Sequence, residues 1–472
     1  MAFAFSYYII SFVVSLISPF WGLVGFICSL LLRFQDHYPQ INSIKPFTLL
    51  LLGMLLSCII NKDKLSRIKW KQDKLISALL LLSMFGLLIM EPASLISESF
   101  MFLCSIAIYF FASRILQTPM QFIILFLSMA ISVAYLGYLA IEDIARFPET
   151  TLYIEHGSKR WQGLGYYSNS NEFGQLMITT VPFLLACILI RKSLLLSLCS
   201  IGLMGIMFWV MLKCESRTVI STVGLMFVGT FMLRGNGNII KKAVIGGTMT
   251  VIMLTVLMFM PGPIQDRMES VLDAGNDESF QGRTRSWDHG FAMLSWYPIT
   301  GVGKGQWIEY HGLMPHNSYV QVMAETGIIG IWFFLWIIWR CLLQFKPLFH
   351  NPKPSPQGPP DFEFPYFDET HPEFYPNGKE QNECLDQQYS NNHSSDILDS
   401  ETNAGKDLNN IERTVTIAVF VTFAGWLLYI FLGNQGYSTW TYFYLGLCSA
   451  LANFMPIEEP LDNNENVVFR EN

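Results

Sequence analysis

GRTRSWDHGFAMLSWYPITGVGKGQWIEYHGLMPHNSYVQVMAETGIIG, residues 282–330, is the stretch from which the fold can be read. It opens polar, with Arg283 and Arg285, and narrows through Pro298 and alternating glycines at 301, 303 and 305. It then delivers His316 to the start of an apolar run. Asn317 or Ser318 supplies the side-chain oxygen that caps a helix N-terminus. The run that follows, to residue 342, is long enough at about 1.5 Å per residue to cross a bilayer core of about 30 Å.

Similar apolar runs recur on both sides of this stretch. Half of the 472 residues are hydrophobic and the mean hydropathy is +0.36, too apolar for a soluble globule. Runs at 5–32, 45–61, 74–90, 96–116, 119–142, 172–191, 193–212, 217–233, 240–260, 318–342, 412–433 and 437–455 predict an all-α polytopic integral membrane protein of about 12 transmembrane helices. Residues 5–32 lack a basic n-region and a small-residue cleavage site, so they read as one membrane helix or as a pair broken at Pro19, the latter giving thirteen spans. The nine cysteines include no C-x-x-C pair and read as small buried hydrophobes.

Basic residues in short loops set the orientation. Lys62, Lys64, Arg67, Lys69 and Lys71 crowd one loop; Arg191 with Lys192, and Arg234 with Lys241 and Lys242, mark two more. Twelve spans with a cytoplasmic N-terminus put all of these inside and place 143–171, 213–217 and the large helical loop 261–317 on the outer face.

The chain's net charge of −7 belongs to one insert. Residues 351–410 carry 12 acidic and 3 basic groups, a local −9, which leaves the remainder at +2. The wider segment 343–411 is rich in proline, then in Asn, Gln, Ser and acids, with no apolar period. It is expected to be disordered and cytoplasmic, either docking a cytoplasmic partner or dispensable. The expected units are 1–142, N-terminal helices; 143–342, the core; 343–411, the insert; 412–455, a C-terminal hairpin; and 456–472, a cytoplasmic tail.

Chemistry-bearing groups gather on the outer face: Arg160, Arg217, Arg283, Arg285 and His316. A guanidinium fork stays charged and grips phosphate oxygens in a bidentate way, although a single surface arginine also serves as a headgroup anchor or ion pair. His316, at the water–membrane boundary, has the pKa range to take a proton from a hydroxyl; a surface or capping histidine is the plainer alternative, and His289 and His311 share its loop. Glu325 lies about 13 Å further along the helix and needs a partner at that depth, structural or catalytic. Gly301–Gly305 lacks the spacing of a phosphate loop and reads as a turn. The outer loops hold no D-x-D, and no P-loop, HExxH or G-x-S-x-G is present.

These residues resemble the O-antigen ligase and Wzy-type polymerase superfamily of bacterial envelope glycan enzymes. Arg160 to Asn171 is similar to that family's R-x-x-G followed by an asparagine pair. Ser216-Arg217 is similar to the S-R that opens a membrane helix. Gly282-Arg283, Trp287, Tyr297-Pro298 and Gly301-Val302-Gly303 resemble the start of its large periplasmic loop, and His316-Asn317-Ser318-Tyr319 with Glu325-Thr326-Gly327 its end. The motifs span residues 160–335. Arg285 and the long insert depart from the pattern.

The resemblance implies a bacterial inner-membrane glycosyltransferase. Its donor would be a glycan on a polyprenyl diphosphate such as undecaprenyl diphosphate, and its acceptor a lipid or glycan hydroxyl, as in lipopolysaccharide assembly. Arg217 and Arg283 would bind the diphosphate, with His316 as general base, giving inversion without a metal. Arg160, Asn171, Arg285, Asn317 and Glu325 would contact substrate, and neither a cofactor nor a nucleic-acid partner is implied. A polymerase of lipid-linked repeats and a transporter of lipid-linked glycans remain alternatives; the latter predicts internal repeats and midplane charges, which the sequence does not show. Deleting 351–410 is expected to leave glycan transfer intact, as read by envelope-glycan profiling of a complemented deletion strain; loss of the glycan would make the insert part of the working enzyme.

Overall fold

The computed structural model describes residues 1–67, 71–155, 158–190, 193–234, 278–349, 410–433 and 435–454, with isolated positions between 241 and 255. The chain opens with α1 (Ala2–Ile17) and α2 (Pro19–Leu32). Extended Ser18 breaks them apart, and Pro19 stands at the first helical position, where a missing N–H costs nothing. Small residues let the two helices fold back closely: a Cβ on Gly22 would lie 2.6 Å from Ser15, and one on Gly25 2.9 Å from Ser11.

This hairpin matches the reading of 5–32 as a pair broken at Pro19, and it changes the expected position of the N-terminus alone. The Phe3 ring lies 5.9 Å from Phe34, and the Tyr8 hydroxyl donates to Gln35. Met1 therefore returns to the end of the bundle that carries Arg33, not to the end where the basic loops gather. At that basic end the Asn61 amide and Lys64 donate to the carbonyls of Leu16 and Ile17, Arg114 pairs with Asp73, and Asn453 donates to the carbonyls of Ser113 and Leu116.

The bundle continues with α3 (Pro46–Ile60), α4 (Lys71–Met90), α5 (Leu95–Ile115) and α6 (Pro119–Arg146), the last opened by a Thr118–Gln121 capping box. An antiparallel hairpin follows, β1 (Leu152–Glu155) and β2 (Ser158–Trp161), with Tyr153 opposite Arg160. It is a small departure from an all-α chain, made where β-favouring Tyr153, Ile154 and Trp161 flank His156-Gly157. Next come α7 (Ser170–Ile178), α8 (Val181–Ile190), α9 (Leu194–Cys214) and α10 (Arg217–Arg234). Then come α11 (Glu278–Trp296), α12 (Ser318–Leu343), α13 (Asn410–Phe431) and α14 (Thr439–Ala450).

Among the described residues, seven helices are long and apolar enough to cross a membrane: Lys71–Met90, Pro92–Ile115, Pro119–Arg146, Ser170–Ile190, Leu194–Cys214, Ser318–Leu343 and Asn410–Phe431. Three further expected spans are present as helices of 15, 18 and 12 residues: α3, α10 and α14. Most of the expected span 240–260, most of the insert and residues 455–472 lie outside the described residues.

The feature that positions the site is a break in α12. Gly327 has φ 70° and ψ −170°, so the backbone groups around it lose their helical partners. The loop after α11 replaces them. Val302 and Gly303 N–H donate to the carbonyls of Ala324 (2.9 Å) and Glu325 (3.1 Å), and Ile328 N–H donates to the Pro298 carbonyl (2.8 Å). A small second core of Met293, Val302, Trp307, Val320 and Ala324 seals α11 and this loop onto α12. Backbone approach this close requires glycine: a Cβ on Gly301 (φ 64°) would lie 2.3 Å from the Glu325 carbonyl carbon, and one on Gly327 2.4 Å from the Ile299 oxygen.

Gly301→Ala and Gly327→Ala are each expected to cost on the order of 1–3 kcal/mol or more through strain and collision. In α9, Gly202→Ala faces open space and should be neutral or stabilising by up to about 1 kcal/mol. Thermal unfolding in detergent checks this; equal behaviour of all three would contradict the docked-loop account.

Candidate functional site

One arm of the site is built from β2, the start of α7 and the junction of α9 with α10. Arg160 is 6% exposed, and its Nε donates to the Cys214 carbonyl (3.1 Å). One of its terminal nitrogens donates to Asn171 Oδ1 (3.0 Å), which also accepts from the Ser216 hydroxyl (2.7 Å). Asn169 caps α7 by accepting from the Asn171 N–H. Glu215 turns the chain in a left-handed conformation (φ 49°), and Arg217 then opens α10. A guanidinium there sits at the positive end of the helix dipole, a combination that favours an anion beside both. Arg160, Asn171 and Ser216 thus form one connected group that holds the strand and the α9–α10 turn together, with Arg217 next along the chain.

The other arm comes from α11 and the lip of α12. His316 adopts φ 47°, an uncommon backbone state for a residue with a side chain and one enriched at functional positions. Its neighbours hold it there. The Trp287 indole N–H donates to the Pro315 carbonyl (2.8 Å), and Asn317 caps α12, its Oδ1 accepting from the N–H groups of Tyr319 (3.0 Å) and Val320 (3.2 Å). The residue stays open to solvent on one side, but protein crowding the ring, and secondarily the Arg283 charge, push its pKa below the ordinary 6.5. A neutral imidazole can accept a proton. Arg285 is exposed, its Nε donating to the Gln281 carbonyl. Two residues along a helix turn a side chain by roughly 200°, so Arg283 and Arg285 occupy opposite faces of α11.

The two arms meet through the first turn of α7 and the 432–438 loop. Next to Asn171, Glu172 Oε1 accepts from Gln435 Nε2 (3.3 Å), and the Gln435 N–H donates to Ser318 Oγ (2.8 Å), which in turn donates to the Gly433 carbonyl (2.7 Å). Arg283 also lies within electrostatic reach of Tyr429 on α13. Sequence reasoning missed Glu172 and Gln435. The signal for Gln435 was the polar GNQGYS joining two apolar runs; Glu172 sat unremarked beside the motif asparagine.

Other expected site residues are turned to structural work. Asn317 is 2% exposed and serves as the cap just described. Glu325 is 1% exposed; its carboxylate accepts from the Gly305 N–H (3.0 Å) and from Gln321 Nε2 (3.3 Å), fastening the glycine turn to α12. Lys304 adds a pair with Glu98 (2.6 Å) at the start of α5. The amides of 302, 303 and 305 are committed to this docking, so 301–305 is a turn, as expected. His289 and His311 stack at 4.1 Å, and His311 Nε2 bonds Ser286 Oγ (3.2 Å). Burial, then His289, lowers the His311 pKa. Among the described residues, no group of three or more His, Cys, Asp or Glu side chains is arranged to hold a metal ion.

Comparison with known families finds one match: residues 202–335 fit the family model described as O-antigen ligase. That is less than half of the chain, and it contains Arg217, Arg283, His316 and Glu325 but not Arg160 or Asn171. The comparisons with curated proteins and with solved structures returned no match. The family resemblance is thereby borne out over this segment, and the seven long apolar helices are those of a multi-pass membrane protein.

Because a second positive charge nearby disfavours imidazolium, Arg283→Gln should raise the His316 pKa toward 6.5. Arg285→Gln should leave it unchanged. Titration of the labelled His316 ring by NMR reads both shifts; an equal rise in the two variants would place the wrong arginine beside the imidazole.

Proposed function

We propose, taking the O-antigen ligase match over residues 202–335 as premise, that this chain transfers a glycan from a polyprenyl-diphosphate donor to an acceptor hydroxyl at the end of the bundle that carries His316. The observation that carries the reading is the pairing of a strained, solvent-open His316 of lowered pKa with the Arg283 charge, inside the segment that matches the family.

In this reading the acceptor oxygen attacks the anomeric carbon while the bond from that carbon to the diphosphate oxygen breaks, so the configuration inverts. His316 takes the acceptor proton as the new bond forms. The leaving diphosphate gains negative charge, which Arg217 and Arg283 stabilise by charge-assisted hydrogen bonds. Arg160 acts through Asn171 and Ser216 to orient the turn that carries Arg217. The arginines supply the positive charge that a divalent ion supplies in D-x-D glycosyltransferases. With the site end outward, the active face is periplasmic and the basic loops face the cytoplasm, in keeping with the charge rule. Ligation of a finished glycan to a terminal acceptor and polymerisation of lipid-linked repeats share this chemistry; they differ in the acceptor.

His316→Ala and Arg217→Ala are each expected to lower transfer by about 10²-fold or more, the scale of losing a general base or a charge stabiliser. The assay uses purified protein with a polyprenyl-diphosphate-linked glycan, with folded yield checked in parallel. Full activity in either folded variant would overturn its assigned role, and no transfer by the folded wild type would favour the transport alternative.

A further inference from the structure

A half-open cleft lies between α7, α13, α14 and the 164–167 turn. Its walls are aromatic, with Tyr166, Trp426, Tyr429 and Trp440 among them, and its polar groups are Glu172, Gln175 and Gln435. Gln175 and Gln435 are only 3% and 7% exposed, yet the side-chain carbonyl oxygen of each accepts no hydrogen bond from any described residue. Buried carbonyl oxygens are rarely left without a donor, so two in one cavity call for an occupant that supplies them. Beside them the Glu172 carboxylate offers a third acceptor, already engaged on one oxygen by Gln435 Nε2.

The cavity therefore asks for a ligand that presents several hydrogen-bond donors around a flat body able to lie against aromatic rings. We propose that it is a subsite for a pyranose ring, whose hydroxyls donate to Gln175 Oε1, Gln435 Oε1 and Glu172. The identity of the ring as part of a transferred or accepting glycan rests on the function proposed above. Its position supports that link. Glu172 directly follows Asn171 of the arginine group, Gln435 donates its N–H to Ser318 two residues from His316, and Tyr429 feels the Arg283 charge. The Arg33 guanidinium stacks 4.8 Å over Tyr166, and Asp36 accepts from the Tyr166 N–H, so the outer wall is braced by the chain leaving α2.

The test variant is Gln175→Leu, which fills similar volume without an acceptor. Removing an unpartnered buried polar group should leave the unliganded protein as stable as wild type or more so. Saturation-transfer NMR with methyl hexopyranosides and methyl N-acetylhexosaminides, with choline as a cationic control, reads binding without turnover. The expected result is pyranoside binding to wild type, weakened at least tenfold in Gln175→Leu and preserved in His316→Ala and Arg217→Ala. A pyranoside that binds both wild type and Gln175→Leu equally, no pyranoside binding at all, or binding of choline alone would overturn the proposal. Steady-state kinetics then separates the two sources of the ring: a KM raised for the acceptor alone assigns it to the acceptor, and one raised for the lipid-linked donor alone assigns it to the donor. No pyranoside binding by a wild type that does transfer glycan sinks the subsite only; pyranoside binding by a folded wild type that transfers no glycan sinks the glycosyltransferase reading instead.

Discussion

The interruption of α12 at Gly327 is the constraint on which the arrangement of the site depends. A helix that stops hydrogen-bonding to itself in an apolar bundle must find other partners for the freed groups, because orphaned backbone polar atoms in such surroundings are expensive. Here a loop carrying its own glycines provides them, and Glu325 fastens the same loop through the Gly305 N–H. Once that contact is made, the chain between Trp307 and Pro315 has little freedom. Trp307 enters the second core and donates to the Leu313 carbonyl, while Trp287 holds Pro315. His316 is left at the helix lip in a backbone state it would not choose alone. The acid deep in the helix thus serves the histidine at its surface through the loop between them.

The second dependence is on the first turn of α7. Consecutive residues there face different partners: Asn171 gathers Arg160 and Ser216, and Glu172 reaches Gln435. A displacement of this turn would move the arginine arm and the histidine arm together. Glycine 165, at φ 58°, lets the preceding loop lie against Asp36 at the exit of α2, so even the N-terminal hairpin bears on the site end.

Much of this was legible in the residues themselves. Apolar run length gave nearly every helix, and Pro19 marked the hairpin as one of two readings. Proline and asparagine before Ser318 marked the start of α12, and the odd spacing of 301, 303 and 305 argued for a turn. What escaped the sequence was how segments distant in the chain meet. The direction of α2 relative to α1 depends on small residues facing one another across the pair, which run length does not encode, and so the N-terminus was assigned to the wrong end. The β-hairpin is four residues per strand, too short to stand out from a polar loop. Glu325 and Asn317 have the chemistry of substrate ligands, but Asn317 caps its own helix and the Glu325 carboxylate accepts from Gln321 Nε2 and from the Gly305 N–H, which only the folded chain brings near. Gln435 lies far along the sequence from every motif and became visible only through Glu172 and Ser318.

The central claim is that the leaving diphosphate rests between the arginine arm and His316. A cryo-EM map of the protein with a bound polyprenyl diphosphate tests it most directly. The account expects the phosphorus density within hydrogen-bonding reach of Arg217 and Arg283, with His316 facing the first phosphate and the isoprenoid leaving sideways between helices. Diphosphate density at the basic end of the bundle, or against Arg285 alone, would contradict it.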